Sequence, residues 1–237
     1  MLRTPAWATT WTILRLVMAA AIAAAIIAQL IASVTRSAEN GQNIATVVAN
    51  FFSFFTILSN AITVVVLLLL VGWHLTAGRR EAVEPRGLAV ALASVSTYMI
   101  ITGIVYNLLL RGVQLYPGTE PIPWSNEVLH LVGPLFLLLD VFLAPRRRAL
   151  AWNTVWIIAA FPIVWVIYTI IRGPLVTNPA TGEQWWYPYP FLNPHNFDNG
   201  FGGVAIYIVV IAVAIIAVGS FVVWWGRRAG RRATAAS

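Results

Sequence analysis

Six apolar stretches of about 20 residues follow one another along the chain, separated by segments that carry Arg, Pro and Gly. A helix of that length crosses a hydrocarbon core of about 30 Å. The pattern predicts spans at 13–34, 50–73, 88–110, 126–144, 152–171 and 204–225. We therefore expect an all-α, polytopic membrane protein. Residues 1–237 would form a single six-helix transmembrane domain, with a long aromatic and proline-rich loop at 172–203 on the extracellular side.

Composition supports a membrane protein, because 59% of the residues are hydrophobic and only 10% are charged. A soluble domain carries about 25% charged residues. The first apolar run is longer than the hydrophobic region of a signal peptide, so we expect a retained span. Arg15 near its start would extend its guanidinium outward to the interface. The absence of cysteine excludes disulfides, thiolate metal sites and cysteine nucleophiles.

Arginine sets the predicted orientation, since the chain has no lysine. Eleven arginines lie at the two ends of the chain and in the second and fourth loops, against three in the other loops, Arg36, Arg111 and Arg172. The positive-inside rule then places both termini in the cytoplasm of a cell with this protein in its plasma membrane. The net charge of +7 is explained by this asymmetry and by contact with anionic lipids. We expect no nucleic acid partner.

The fourth span carries a narrow polar stripe on an otherwise apolar helix. At 100° per residue, Asn126, Glu127, His130 and Asp140 fall within about 140° of arc. Ionisable residues inside a membrane are expensive and mark a functional site by default. Asp140, near the inner boundary, is expected to face Arg146 or Arg147.

A second polar stripe starts the second span, and it includes Thr56 and Asn60. With both spans starting outside, Thr56 lies about 9 Å and His130 about 6 Å below the outer ends of their helices. The third and fifth spans bring two i, i+4 pairs to the same level, Asn107 with Arg111 and Tyr168 with Arg172. We therefore predict an outward-facing polar pocket between spans two to five.

Each of these residues also has a purely structural interpretation. Thr56 could bond a carbonyl of its own helix, and His130 could be a packing histidine. The long loop could cover the polar stripe as a lid, or it could anchor its aromatic rings at the interface. Glu127-x-x-His130 is one half of a carboxylate-bridged di-iron motif, but the second half is missing. We expect neither a metal site nor a cofactor.

The segments FFTILSN, NEVLHLVGPLFLLLD, WVIYTIIRG and WYPYPFLNP resemble an uncharacterised family of six-span bacterial integral membrane proteins, over residues 13–225. More distantly, the chain is similar to the androgen-induced and androgen-dependent membrane proteins of animals. Those are six-span threonine hydrolases that cleave fatty acid esters of hydroxy fatty acids with an intramembrane threonine and a histidine. The resemblance implies that Thr56 in FFTILSN is a nucleophile and His130 in NEVLHLVGP its base.

The neighbouring polar residues suit such a reaction, because a threonine hydroxyl needs a nearby base and histidine is the usual one. Asn126 or Glu127 would orient the imidazole. Hydrogen bonds to the oxyanion would come from a set of three candidates, Asn60, Asn107 and Tyr168. A lipid carboxylate or phosphate would be held by Arg111 or Arg172.

These considerations leave more than one function open. The first is hydrolysis of an amphiphilic lipid ester that enters from the membrane lipids. The alternative is non-enzymatic binding or transport of a lipid or small molecule, with Glu127 and His130 holding the ligand or relaying protons. In a third possibility the polar stripe packs against a partner protein.

Overall fold

The computed structural model describes residues 4–79, 81, 83–113 and 121–234, which are helical or irregular and include no β-strand. Two arginines of the orientation argument, Arg3 and Arg80, lie outside these ranges. Within these ranges six helices are long and apolar enough to cross a membrane, which confirms the all-helical architecture and the predicted number of candidate spans. The crossing helices have these bounds: Pro5–Glu39, Phe55–Leu75, Arg86–Leu110, Pro123–Leu143, Thr154–Leu175 and Phe201–Arg228.

The regular elements within them are labelled here in chain order. They are α1 (Pro5–Glu39), α2 (Ile44–Phe51), α3 (Phe55–Leu75), α4 (Arg86–Val105), α5 (Pro123–Glu127), α6 (Gly133–Leu143), α7 (Thr154–Arg172) and α8 (Phe201–Thr234). Two π-helical turns complete the third and fourth spans, Tyr106–Leu110 after α4 and Val128–Val132 between α5 and α6. Such turns are rare and are often found at functional sites.

The second span begins later than residue 50, because the chain breaks between α2 and α3. Ser53 lies in this break, where its Oγ donates to Ala49 O, and so it does not belong to the polar face of α3. The start of α3 at Phe55 has no cap from its own side chains. The cap comes instead from Tyr189, which is distant in the sequence. The local pattern of apolar residues could not indicate such a contact.

Helix α4 packs against α3, α6, α7 and α8 and lies at the centre of the molecule. Its buried face includes small residues such as Ala89, Ala93 and Ser96, which let neighbouring backbones approach. At Gly103 the approach is so close that an added Cβ would lie 2.8 Å from Cβ of Pro134. The third and fourth spans are thereby brought together at the level of the π-helical turns.

The long connection between α7 and α8 folds back onto the helices. Four of its aromatic side chains are buried in the protein, namely Trp186, Tyr187, Tyr189 and Phe191, while Trp185 and Phe197 are half-buried. Tyr189 reaches the first turn of α3. We call this side of the molecule the loop end, and the side with Arg146–Arg148 and Arg227 the arginine end. The segment therefore packs as part of the protein rather than projecting its rings outward as interface anchors.

The arginine end is organised around the fully buried carboxylate of Asp140. Arg15 Nε lies 2.8 Å from Oδ1, Arg147 Nη2 lies 2.6 Å from Oδ2, and Trp11 Nε1 donates to Oδ1 at 2.6 Å. Arg147 is thus one of the two expected partners, whereas Arg146 donates to Gly78 O. The expectation that Arg15 extends outward is wrong, because it turns inward to neutralise a charge that would otherwise be unpaired.

Replacing Asp140 with asparagine should be strongly destabilising, because two buried arginines lose their counter-charge. Removing one partner of a buried ion pair costs about 3–5 kcal/mol. Thermal unfolding in detergent should therefore shift clearly downward for Asp140→Asn. Glu127→Gln is the matched control, since it makes the same chemical change in an ion pair whose side chains are 43% and 40% exposed, and it should shift little. Equal shifts for both variants would contradict this account.

Candidate functional site

A cavity of about 450 Å³ opens at the loop end, and because its wall mixes apolar side chains with many polar ones we call it the polar cavity. Its wall is built from α1, α2, α3, both π-helical turns and the loop between α7 and α8. Thr56, Asn126 and His130 all line it. The structure therefore brings the two residues of the proposed hydrolytic pair to one cavity. Among its described lining residues there is no aspartate or glutamate.

Thr56 is the second residue of α3, so its backbone N–H belongs to the first turn, where no main-chain acceptor exists. Tyr189 supplies the acceptor, with its Oη 3.2 Å from Thr56 N. The same Oη is 3.2 Å from Thr56 Oγ1. Burial raises the pKa of Tyr189, so its hydroxyl stays protonated and can donate. Within the described structure Thr56 Oγ1 bonds to Tyr189 and not to His130.

His130 lies in the π-helical turn Val128–Val132. Its Nδ1 is 3.0 Å from the carbonyl oxygen of Asn126, which can only accept, so Nδ1 carries a proton. In the neutral ring Nε2 is then the basic nitrogen. The ring stacks on Tyr106 with centroids 3.8 Å apart, and Asn126 Nδ2 donates to the Tyr106 hydroxyl at 2.6 Å. Main chain and aromatic stacking together orient the imidazole.

Asn107 holds the segment that carries His130. Pro134 has no N–H and cannot bond the carbonyl of His130 four residues earlier. Asn107 Nδ2 donates to that carbonyl at 3.1 Å and to Gly103 O at 2.8 Å. The Asn107 amide thus supplies the hydrogen bond to the His130 carbonyl that Pro134 cannot make. Asn107 does not line the cavity, and this arrangement differs from the expected role as an oxyanion donor.

Asn60, on α3, also donates from its side-chain amide to main-chain carbonyls. Its Nδ2 donates to Thr56 O at 2.9 Å and to Leu129 O at 3.3 Å. One buried amide therefore links the backbone of Thr56 to the residue before His130. Asn60 lies behind the cavity wall rather than in it, so it positions the two candidate residues relative to each other.

Arg111 and Glu127 form an exposed ion pair at the loop end. Arg111 Nη1 and Nη2 lie 2.8 and 3.1 Å from the two carboxylate oxygens, and Nε donates to Asn107 Oδ1 at 2.7 Å. Glu127 is therefore occupied by Arg111 and does not orient His130. Arg111 for its part is already neutralised rather than open to a lipid head group.

The two predicted residues of the fifth span are placed differently from each other. Tyr168 Oη lies 2.9 Å from Ser53 Oγ, and Tyr168 lines neither the polar cavity nor the apolar groove described next. Arg172 Nη2 donates to Asn50 Oδ1 at 2.7 Å, and its guanidinium lies 5.4 Å from the ring centre of Trp186. Arg172 thus supports the cavity wall from behind through Asn50.

A second, almost wholly apolar groove of about 170 Å³ adjoins the polar cavity. It is formed mainly by α4, α7, α8 and the loop, and it shares Thr56, Tyr106, Leu110 and Tyr189 with the polar cavity. Trp156 on its wall is 68% exposed on the apolar outer surface of α7. Thr56 therefore lies where a polar cavity meets a groove on the lipid-facing side.

Several residues of this site were not singled out by sequence reasoning. Tyr189 lies within the long loop that was predicted to cover the polar stripe, so the sequence indicated the segment but not the residue. Tyr106 and Asn50 occupy helix ends without any distinctive spacing. Asn178 lies in a turn where its Oδ1 accepts from Ala180 N. Their roles depend on contacts between distant segments.

Within the described residues no group of three or more His, Asp or Glu side chains could hold a metal ion. Comparison with models of protein families, with curated proteins and with solved structures gives no match for this chain.

Tyr189→Phe should lower stability, because the first turn of α3 loses its cap in a buried setting. The expected cost is about 0.5–2 kcal/mol, the range for loss of a cap. Tyr207→Phe is the control, since Tyr207 stacks on Phe191 in the same region and its hydroxyl makes no hydrogen bond in the described structure. Thermal unfolding of both variants in the same detergent measures the difference. Equal stability of the two would show that the cap contributes nothing.

Proposed function

We propose that this membrane protein is a hydrolase of lipid esters, with Thr56 as nucleophile and His130 as general base. One observation carries the proposal, namely that Thr56 lies at the junction of the polar cavity and the apolar groove, with His130 on the polar wall. An amphiphilic ester carries its carbonyl at just such a boundary between polar and apolar parts. No cofactor is required for this chemistry.

The reaction would proceed through an acyl-threonine. Thr56 Oγ1 attacks the ester carbonyl as its proton passes to His130 Nε2. The tetrahedral intermediate then expels the alcohol, which takes the proton from His130. Water enters the polar cavity, gives a proton to His130 and attacks the acyl group, which releases the fatty acid and restores the Thr56 hydroxyl. Before the first step the hydroxyl rotates away from Tyr189 toward the ester.

Tyr189 is the best placed donor for the negative charge of the intermediate. Its hydroxyl is protonated and lies 3.2 Å from Thr56 Oγ1. The positive end of the α3 dipole lies at the same place and favours negative charge. The sequence suggested Asn60, Asn107 or Tyr168 as the donor to the oxyanion, but the polar groups of these residues bond to other partners. Tyr189 would take that role instead.

The membrane would deliver the substrate. By the positive-inside rule the loop end faces the outside of the plasma membrane and both termini lie in the cytoplasm. The apolar groove runs from Thr56 along α7 and α8 within the hydrocarbon region, so an ester can enter sideways from the surrounding lipids. The polar cavity would take up its head group and supply the water.

The alternative function is non-enzymatic binding or transport of a lipid or small molecule. The observation that favours it is the hydrogen bond between Thr56 Oγ1 and Tyr189, which leaves Thr56 without a bond to His130. In that case the cavity binds its ligand and Thr56 forms only part of the wall. Thr56→Val would then alter affinity without abolishing function.

Labelling with a fluorophosphonate hydrolase probe tests the enzyme. We expect wild-type protein to be labelled and Thr56→Ala and His130→Ala to be unlabelled, because the nucleophile or its base is lost. Thr63→Ala is the matched control, since Thr63 lies on the same helix, bonds to Ser59 O at 2.7 Å and lines neither the polar cavity nor the groove. Size-exclusion chromatography confirms that each variant is folded. Failure to label folded wild type, or labelling that survives Thr56→Ala, overturns the proposal.

Hydrolysis of a p-nitrophenyl ester with a long acyl chain tests the role of Tyr189. Tyr189→Phe should lower kcat by about 10²–10³, the cost of removing one donor to an oxyanion. Tyr207→Phe, which leaves the junction unchanged, should retain the wild-type rate. An unchanged kcat in Tyr189→Phe would exclude Tyr189 as the donor while leaving Thr56 and His130 to be judged by labelling.

A further inference from the structure

Two residues that line the polar cavity each have a buried side-chain NH₂ group with no hydrogen-bond partner among the described residues. They are Nδ2 of Asn50, whose residue is 5% exposed, and Nδ2 of Asn178, whose residue is 1% exposed. Both residues line the cavity. Buried polar groups are nearly always satisfied, so two unpaired N–H₂ groups on one cavity point to a missing acceptor.

The orientation of both amides is fixed by neighbouring donors. Arg172 Nη2 donates to Asn50 Oδ1 at 2.7 Å, and the N–H of Ala180 donates to Asn178 Oδ1 at 3.0 Å. Turning either amide over would place its NH₂ group against another donor. The groups left over are therefore donors at both positions, and only an acceptor can complement them.

The charges around the cavity favour a negatively charged acceptor. Arg172 lies directly behind Asn50 and donates to its Oδ1. The first turn of α3, with its positive dipole end, borders the same space through Thr56 and Ile57. The described wall contributes no carboxylate that would oppose an anion.

We propose that Asn50 and Asn178 bind the oxygen atoms of an anionic head group, a carboxylate or a phosphate, on an amphiphile whose chain passes Thr56 into the apolar groove. The inference rests on the proposed function for taking the cavity as the substrate site. It goes further by naming the head-group chemistry and the residues that recognise it. Those residues are separate from the nucleophile and the base.

Competition against a fluorescent fatty acid, in purified protein in neutral detergent, tests the ligand chemistry. Thr56→Ala is used as background so that no ester is consumed. A C18 fatty acid or a C18 alkyl phosphate should bind at least about tenfold more tightly than the methyl ester of the same acid, since hydrogen bonds to a charged group are the stronger ones. Acetate and inorganic phosphate should compete only weakly, because they lack the chain. Which of the two C18 anions binds more tightly identifies the head group.

Isosteric variants test the two residues. Asn50→Asp and Asn178→Asp keep the Oδ1 atom that Arg172 or Ala180 uses and replace only the free donor with an acceptor. Each should weaken binding of the C18 anion by at least about tenfold and leave the methyl ester unchanged. Asn43→Asp is the matched control, because Asn43 is an exposed N-cap at the same end of the molecule and does not line the cavity. It should bind like the parent protein.

Three results would overturn the inference. They are equal affinity for the C18 anion and its methyl ester in the parent protein, unchanged anion binding in both cavity variants, and an equal loss in Asn43→Asp. If Asn50→Asp does not fold, Asn178→Asp and the anion-to-ester comparison still decide. Binding that behaves as expected in a protein that no fluorophosphonate labels would support the head-group site and reject the hydrolase. Labelling without anion selectivity would do the reverse.

Discussion

Inside a hydrocarbon core a polar group finds no water, so each one must find its partner within the protein. Asp140 shows the strongest form of this constraint, since it binds Arg15, Arg147 and Trp11 at the arginine end. Weaker forms recur at the loop end, where the side-chain amides of Asn60 and Asn107 donate to main-chain carbonyls in the π-helical turn of the fourth span. Asp140, Asn60 and Asn107 therefore join different helices through their side chains, and the helix packing depends on these bonds.

At the loop end the same constraint shapes the cavity. Pro134 and the π-helical turn before it disturb the main-chain bonding around His130, and Asn107 bonds to the His130 carbonyl. The break before α3 leaves N–H groups unbonded, and the Tyr189 hydroxyl accepts from one of them. These irregularities keep the helices from closing on each other, and the polar cavity lies between them. Among the buried side-chain donors of its described wall residues, those of Asn50 and Asn178 are left without a partner.

Hydropathy was sufficient to predict the six crossing helices, because lipid selects for length and apolar composition within each segment. Depth along a helix, which follows from the rise per residue, was sufficient to bring Thr56 and His130 to one level. The pairing of Arg15 with Asp140 and the cap from Tyr189 could not be predicted, because each joins segments more than 100 positions apart. Of the two residues expected to orient His130, Asn126 does so through its carbonyl oxygen, whereas Glu127 pairs with Arg111 at the end of the third span.

The break before α3 is what makes Thr56 chemically different from four other buried threonines. Thr12, Thr63, Thr97 and Thr169 each donate their hydroxyl to the carbonyl four residues back, as threonines inside helices commonly do. At the second position of α3 there is no helical carbonyl four residues back, so the Thr56 hydroxyl has no such local bond. A continuous helix from α2 into α3 would have provided one and removed the group from use. The irregular backbone therefore leaves this hydroxyl to Tyr189 and to the cavity, which is the condition that a nucleophile needs.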